Sequence, residues 1–145
     1  MSDGSRKSEP KPRPAPVSDA DTEPYWKAAH EGRLIVQRCT VCGNTQLYPR
    51  WRCLRCRGQV EWVDATGGGT VYSFTVIRQN FSRSFRHLIP YVVALVDLDE
   101  GPRLMTNLVG VDPDDVQIGM RVRVKFEPVS EDASVPLFEP EVASA

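Results

Sequence analysis

The sequence predicts a mainly β chain in which a short N-terminal helix and a zinc ribbon precede a five-stranded barrel of the OB type. Three observations carry that expectation. Cys39, Cys42, Cys53 and Cys56 are the four cysteines of the 145 residues, and they follow the pattern C-x2-C-x10-C-x2-C. Beyond them, the C-terminal half holds five segments of β-branched, aromatic or alternating residues separated by turn residues. The connection between the first two segments, residues 79–90, is too long for a hairpin and suits a small barrel with long loops. An SH3-like barrel is the alternative for the same strand count.

The elements follow in order. Residues 1–21 are proline-rich and poor in large apolar side chains, as expected of a disordered tail, and they lack the apolar stretch of a signal peptide. Residues 22–66 are expected to form the helix and the ribbon. Glu23 and Pro24 suit a first helical turn, Tyr25, Trp26, Ala28 and Ala29 give an apolar side, and Gly32 suits the stop. Short strands are expected at residues 34–37, 45–48 and 60–63, flanking the cysteine pairs. Residues 67–140 supply the barrel, with strands at 70–78, 91–97, 102–109, 121–126 and 136–140, and residues 141–145 a second tail. Val122, Val124 and Phe126 alternate with Arg121, Arg123 and Lys125, which predicts one face in the core and one in water. The run Gly67, Gly68, Gly69 is expected to be a hinge between ribbon and barrel, because it feeds a strand rather than the helix N-terminus of a phosphate loop.

Two residues between paired cysteines let one tight turn aim both sulfurs at a point, and two such knuckles bind one tetrahedral ion. Gly43 and Gly58, just behind the two pairs, are expected to take the positive φ of such turns. Four thiolates close the coordination sphere, so the site has no place for a catalytic water. Iron of the rubredoxin type takes the same ligands, so the spacing admits it beside the expected structural Zn²⁺. No run approaches the ~18 apolar residues of a membrane span, and a soluble, cytoplasmic setting is expected.

The net charge of −1 conceals an asymmetry: residues 31–60 carry six basic side chains against one acidic, and residues 88–145 four against eleven. The arginines offset the negative charge that four thiolates leave around a divalent ion. An acidic barrel would repel a phosphate chain, which makes a single-stranded nucleic-acid module the weaker alternative.

The ordered set of Tyr25-Trp26, Gly32-Arg33-Leu34, both knuckles, Gly-Thr-Val-Tyr-Ser-Phe at 69–74 and Pro-Tyr-Val-Val-Ala at 90–94 resembles the DUF35 family over about residues 24–139. The resemblance implies a rubredoxin-like zinc ribbon followed by an OB-fold, and an accessory subunit in acyl-CoA metabolism. It implies a thiolase-like or lipid-transfer-type thiolase partner in a hetero-oligomer, with acyl-CoA at or near the interface and catalysis, thiolytic or retro-aldol, carried by that partner. A free-standing acyl-CoA-binding protein is a further alternative. The residues agree with a non-catalytic role. His30 and His87 are the two histidines, neither beside a cysteine or carboxylate that suggests a catalytic pair, and every cysteine is assigned to metal. Within residues 79–90, Phe81, Arg83, Phe85, Arg86 and His87 combine aromatics with cations and are the expected contacts to a partner or to CoA.

Overall fold

The computed structural model describes residues 9–142. Residues 1–8 of the expected N-terminal tail and 143–145 of the C-terminal one lie outside that range. Helix α1 spans Glu23–His30. Asp19 prepares its start by accepting from the Thr22 N–H at 2.9 Å through its side chain and from the Glu23 N–H at 2.8 Å through its carbonyl. Gly32, at φ 80°, ends it, with Arg33 N–H donating to Ala28 and Gly32 N–H to Ala29. This pair of reversed bonds satisfies carbonyls that the helix itself leaves free.

Strands β1 (Ile35–Cys39), β2 (Thr45–Gln46) and β3 (Val60–Asp64) form the ribbon sheet in the order β2-β1-β3. The barrel follows: β4 (Gly68–Ile77), β5 (Tyr91–Leu98), β6 (Arg103–Leu108), β7 (Arg121–Pro128) and β8 (Ser134–Pro140). It closes in the order β4-β5-β6-β8-β7, and β4 pairs back onto β7 through Gly68, Gly69 and Thr70. The sequence-predicted OB barrel is therefore present, with five strands and one short N-terminal helix. Along β5, Val92, Ala94, Val96 and Leu98 point inward and the residues between them are half-buried. Val122 is fully buried, and Val124 and Phe126 pack against the same cluster, so the expected inner face of β7 is correct.

One sequence expectation needs correction. Gly67–Gly69 is no hinge: Gly68 and Gly69 are the first residues of β4, and all three glycines are buried. A Cβ on Gly69 would stand 2.6 Å from Val96 Cγ1 and 2.8 Å from the Asp97 carbonyl oxygen, so the residue is glycine because β5 passes too close for a side chain. Ribbon packing continues into the barrel. Leu34 and Val36 belong to the same buried cluster as Val96 and Phe138, and Thr45 Oγ1 donates to the Glu100 carbonyl at the tip of the β5–β6 hairpin. The two modules share one core.

Part of the expected N-terminal tail is also placed. Residues 9–13 lie against the loop at 79–90 and the barrel, with the Arg13 side chain 10% exposed and ion-paired to Glu127.

Candidate functional site: a metal centre and an apolar cleft

The four cysteine sulfurs lie within 4.8 Å of one another. Cys39 and Cys56 Sγ are 3.4 Å apart, and Cys42 and Cys53 Sγ 3.7 Å. Tetrahedral Zn–S bonds of about 2.3 Å require sulfurs about 3.8 Å apart, so the cluster has the dimensions of a four-thiolate metal site. The two knuckles repeat one hydrogen-bond pattern. Gly43 N–H donates to the Cys39 carbonyl and Arg57 N–H to the Cys53 carbonyl, while Cys39 and Cys53 N–H donate to Asn44 and Gly58. Amides also point at sulfur: Val41 and Cys42 at Cys39, Arg55 at Cys53 and Gly58 at Cys56, at 3.3–3.4 Å.

Those amides govern the thiol acidities. The N–H groups of Cys56 and Arg55 hold the Cys53 thiol down to about 6. The Gly58 N–H also lowers Cys56, yet the Cys39 and Cys42 sulfurs beside it push that thiol up to about 12. Four sulfurs at this spacing cannot all ionise without a cation among them, and the donor set suits a thiophilic ion.

The repeat exposes an error in the glycine reading. Positive φ falls on Gly43 (76°) in the first knuckle but on Arg57 (64°), not Gly58, in the second. Gly58 is needed for space, since its Cβ would meet the Cys39 and Cys56 sulfurs at 3.0 and 3.1 Å.

A buried pair of glutamines, which the sequence reading missed, ties the second knuckle to the sheet. Gln46 Nε2 donates to Gln37 Oε1 at 2.9 Å and to the Arg52 carbonyl, while Gln46 Oε1 accepts from Leu54 N–H at 3.0 Å. Gln37 in turn bonds both backbone groups of Arg50. The available signal was an amide side chain at an inward position of each strand.

Beside the ribbon, α1, residues 47–50, the loop before β5 and the outer faces of β5 and β6 enclose a cleft of about 480 Å³. Its walls include Trp26, Tyr48, Phe85, Tyr91, Val93 and Met105. Tyr25 packs edge-on against Trp26 with ring centroids 4.9 Å apart, and burial raises its phenol pKa. Tyr48 reaches across from the ribbon, its hydroxyl accepting the Met105 N–H at 3.3 Å. None of the lining residues is a cysteine, histidine or carboxylate, so the cleft offers contact area and a few hydrogen bonds but no acid–base pair. His30 Nδ1 is hydrogen-bonded with Ser134 Oγ, at 3.3 Å.

The five expected contact residues separate. Phe85 lines the cleft, its ring 5.8 Å from that of Tyr91. Phe81 is 79% exposed, and Arg86 and His87 are exposed in a single 3₁₀ turn. Arg83 turns away, donating to the Glu9 carbonyl and accepting from Lys11 N–H through its own carbonyl. OB barrels use the second and third strands and the loop between the first and second for ligands. Here those are β5, β6 and residues 79–90, and the outer face of the two strands carries Val93, Leu95 and Met105 beside the Arg103–Asp97 ion pair. On β7, Arg121 and Lys125 are paired with Asp99, Glu141 and Glu139.

A four-thiolate ribbon fused through a shared core to an OB barrel, with an apolar cleft beside it, defines the class. Residues 26–62 match the family described as ChsH2, rubredoxin-like zinc ribbon domain, and residues 62–127 that described as ChsH2, C-terminal OB-fold domain. The chain is 37% identical to a DUF35 domain-containing scaffold protein of Methanothermobacter thermautotrophicus, over 68% of this chain and 75% of that one. It belongs to the DUF35 family. It is also 40% identical, over 90% of its length, to a probable enoyl-CoA hydratase alpha subunit of Thermomonospora curvata, of which it spans 40%. Among solved structures it resembles a chain of the Ltp2-ChsH2(DUF35) aldolase, with TM-score 0.80 and 38% identity over 88% of this chain and 99% of that one. No helix of the described residues is long and apolar enough to cross a membrane.

Proposed function

We propose that this chain is the accessory subunit of a cytoplasmic hetero-oligomeric complex acting on acyl-CoA thioesters, with catalysis carried by a thiolase-like partner. The observation that carries the reading is the cleft: about 480 Å³, walled mainly by apolar and aromatic side chains, with no cysteine, histidine or carboxylate lining it. Such a surface completes a site whose chemistry lies elsewhere. The names of relatives, a hydratase alpha subunit and an aldolase assembly, support the same class. In this reading Cys39, Cys42, Cys53 and Cys56 hold Zn²⁺, which supplies a closed, redox-inert crosslink. Phe85 faces the partner or the acyl group within the cleft. Phe81, Arg86 and His87, exposed on the same loop, serve as docking contacts, where the cation of Arg86 suits a CoA phosphate. Arg83, turned toward Glu9, supports the loop.

The test is association. The tagged chain should return a thiolase-fold protein in fixed ratio, identified by mass, and the pair but not the isolated chain should turn over acyl-CoA. Replacing Phe81 and Phe85 together by Ala should weaken the pair at least tenfold, as expected when aromatic anchors worth about 1–4 kcal/mol are lost. Undiminished co-purification of that variant, with its metal content intact, would remove the assignment.

A further inference from the structure

The residues before α1 were expected to be a tail, yet they make specific contacts with the wall of the cleft. Pro10, Pro12, Pro14 and Pro16 alternate with residues that keep their N–H groups. Alternating prolines hold an extended, polyproline-like backbone and lower the entropy lost when it is laid down. The spared donors are used: Lys11 N–H bonds the Arg83 carbonyl at 3.0 Å, and Arg83 Nε returns a bond to the Glu9 carbonyl at 3.3 Å. Two residues on, Arg13 inserts. Its Nε meets Glu127 Oε2 at 2.5 Å, its Nη1 donates to Asn107 Oδ1 at 2.9 Å, and its guanidinium carbon lies 5.7 Å from the Phe85 ring centroid.

Two of these partners, Asn107 and Phe85, are fixed from their far sides. Asn107 Nδ2 donates to the Val92 carbonyl at 3.0 Å, which orients its Oδ1 as the acceptor for Arg13. Phe85 packs on Tyr91, whose hydroxyl accepts from Asn80 Nδ2 at 2.9 Å. Phe85 and Asn107 both line the cleft. A guanidinium this well buried requires its charge and its donors to be met, and a planar fork meets Glu127, Asn107 and the ring together.

We propose that residues 9–13 are a strap that sets the width of the cleft, with Arg13 as the positioning residue that holds Phe85 as its wall. The inference goes beyond the accessory-subunit reading, and its test needs no partner. With the strap down, Phe85 is fixed and the cleft keeps its shape. With the strap released, the loop before β5 keeps its internal bonds, from Phe85 and Arg86 N–H to Ser82 and from Leu88 N–H to Phe85, and is tied to β5 through Asn80 and Phe85 against Tyr91. The wall can then swing outward.

The experiment is hydrogen–deuterium exchange on the metal-replete full chain, comparing wild type with Arg13→Ala and Arg13→Lys. Arg13→Ala should speed exchange of Lys11 and of residues 85–88 about tenfold, in keeping with the loss of charge-assisted hydrogen bonds, while Val92, Ala94 and Val96 in β5 stay protected. Arg13→Lys keeps the charge toward Glu127 but lacks the fork that also reaches Asn107, so its exchange should fall between the two. As a second readout, the apolar dye 1-anilinonaphthalene-8-sulfonate should bind Arg13→Ala more tightly than wild type. Unchanged exchange at residues 85–88 in Arg13→Ala would overturn the proposal. So would a uniform rise across the barrel, which would make Arg13 a general stabiliser rather than the holder of one wall.

Discussion

Gly69→Ala is the sharpest probe of how the barrel closes. Gly69 pairs with Leu98 of β5 on one side and Val122 of β7 on the other, so it sits where the first strand is clamped from both edges. The added methyl would meet Val96 Cγ1 at 2.6 Å and the Asp97 carbonyl oxygen at 2.8 Å. An ordinary contact needs about 3.4 Å or more, so both neighbours must retreat by more than half an ångström. Val96 is fully buried, and Asp97 is held in the ladder by Arg103 across β6 and Thr70 across β4. Overpacking of this kind costs about 1–3 kcal/mol. With about 3 °C lost per kcal/mol for a chain of this size, Tm should fall by roughly 3–10 °C. Urea or thermal unfolding by circular dichroism, in zinc-containing buffer, measures it. Gly32→Ala is the comparison, since its Cβ would meet nothing within 4 Å and only the positive φ resists it. A Gly69→Ala midpoint equal to that of wild type would mean that the close approach of β5 does not constrain the strand.

Four further outcomes follow from the geometry. Cys53→Ser should abolish stoichiometric metal, read by elemental analysis, and should also lower the barrel's midpoint because Leu34 and Val36 share its core. Arg57→Gly should raise the thermal midpoint at unchanged metal content by relieving the φ of 64°, a gain of about 1 kcal/mol; a lower midpoint would refute the strain. Gln46→Leu strands the Leu54 N–H and the Arg52 carbonyl, so metal retention against a chelator should weaken; unchanged competition would show that the splint is dispensable. Finally, two hydrogen bonds from Arg121 hold the Asp99 carboxyl below the usual aspartate value. Its stabilisation is present above the unfolded value of about 3.9 and is lost as pH falls through the lower folded value. Asp99→Asn should therefore depress the midpoint at pH 7 and converge with wild type in acid.

The parts of this molecule written in local periodicity were readable from sequence. Cysteine spacing located the metal cluster, because two residues between ligands is itself a geometric statement. Alternation marked β7, because one inward and one outward side chain per pair leaves a period of two. What escaped reading depends on distant neighbours. Nothing in the glycine run says that β5 passes over Gly69 rather than that the chain bends there. The shared core escaped because Leu34 and Val36 look like any ribbon strand until Phe138 is brought beside them. Arg57 took a conformation that residue preference assigns to its glycine neighbour, because the knuckle repeat fixes the backbone first. Arg13 is the clearest case: composition predicts disorder when apolar area is scarce, yet one arginine with three partners supplies an anchor that composition does not count.

The last strand enters the barrel between two strands made before it. β8 antiparallels β7 along its whole length and touches β6 in parallel at Leu108 and Phe138, and the Phe138 side chain is fully buried in the centre. On a ribosome, then, β4 through β7 can emerge and pair as hairpins but cannot form a cylinder. The edges of β6 and β7 stay unpaired until about residue 140 is free, and such edges invite association with other chains. All four cysteines have emerged by residue 56, and β3, which pairs with the strand that carries Cys39, by residue 64, so the knuckles can capture metal far earlier. Synthesis thus runs metal first and closure last, with the nascent chain most open to wrong partners just before its final strand arrives.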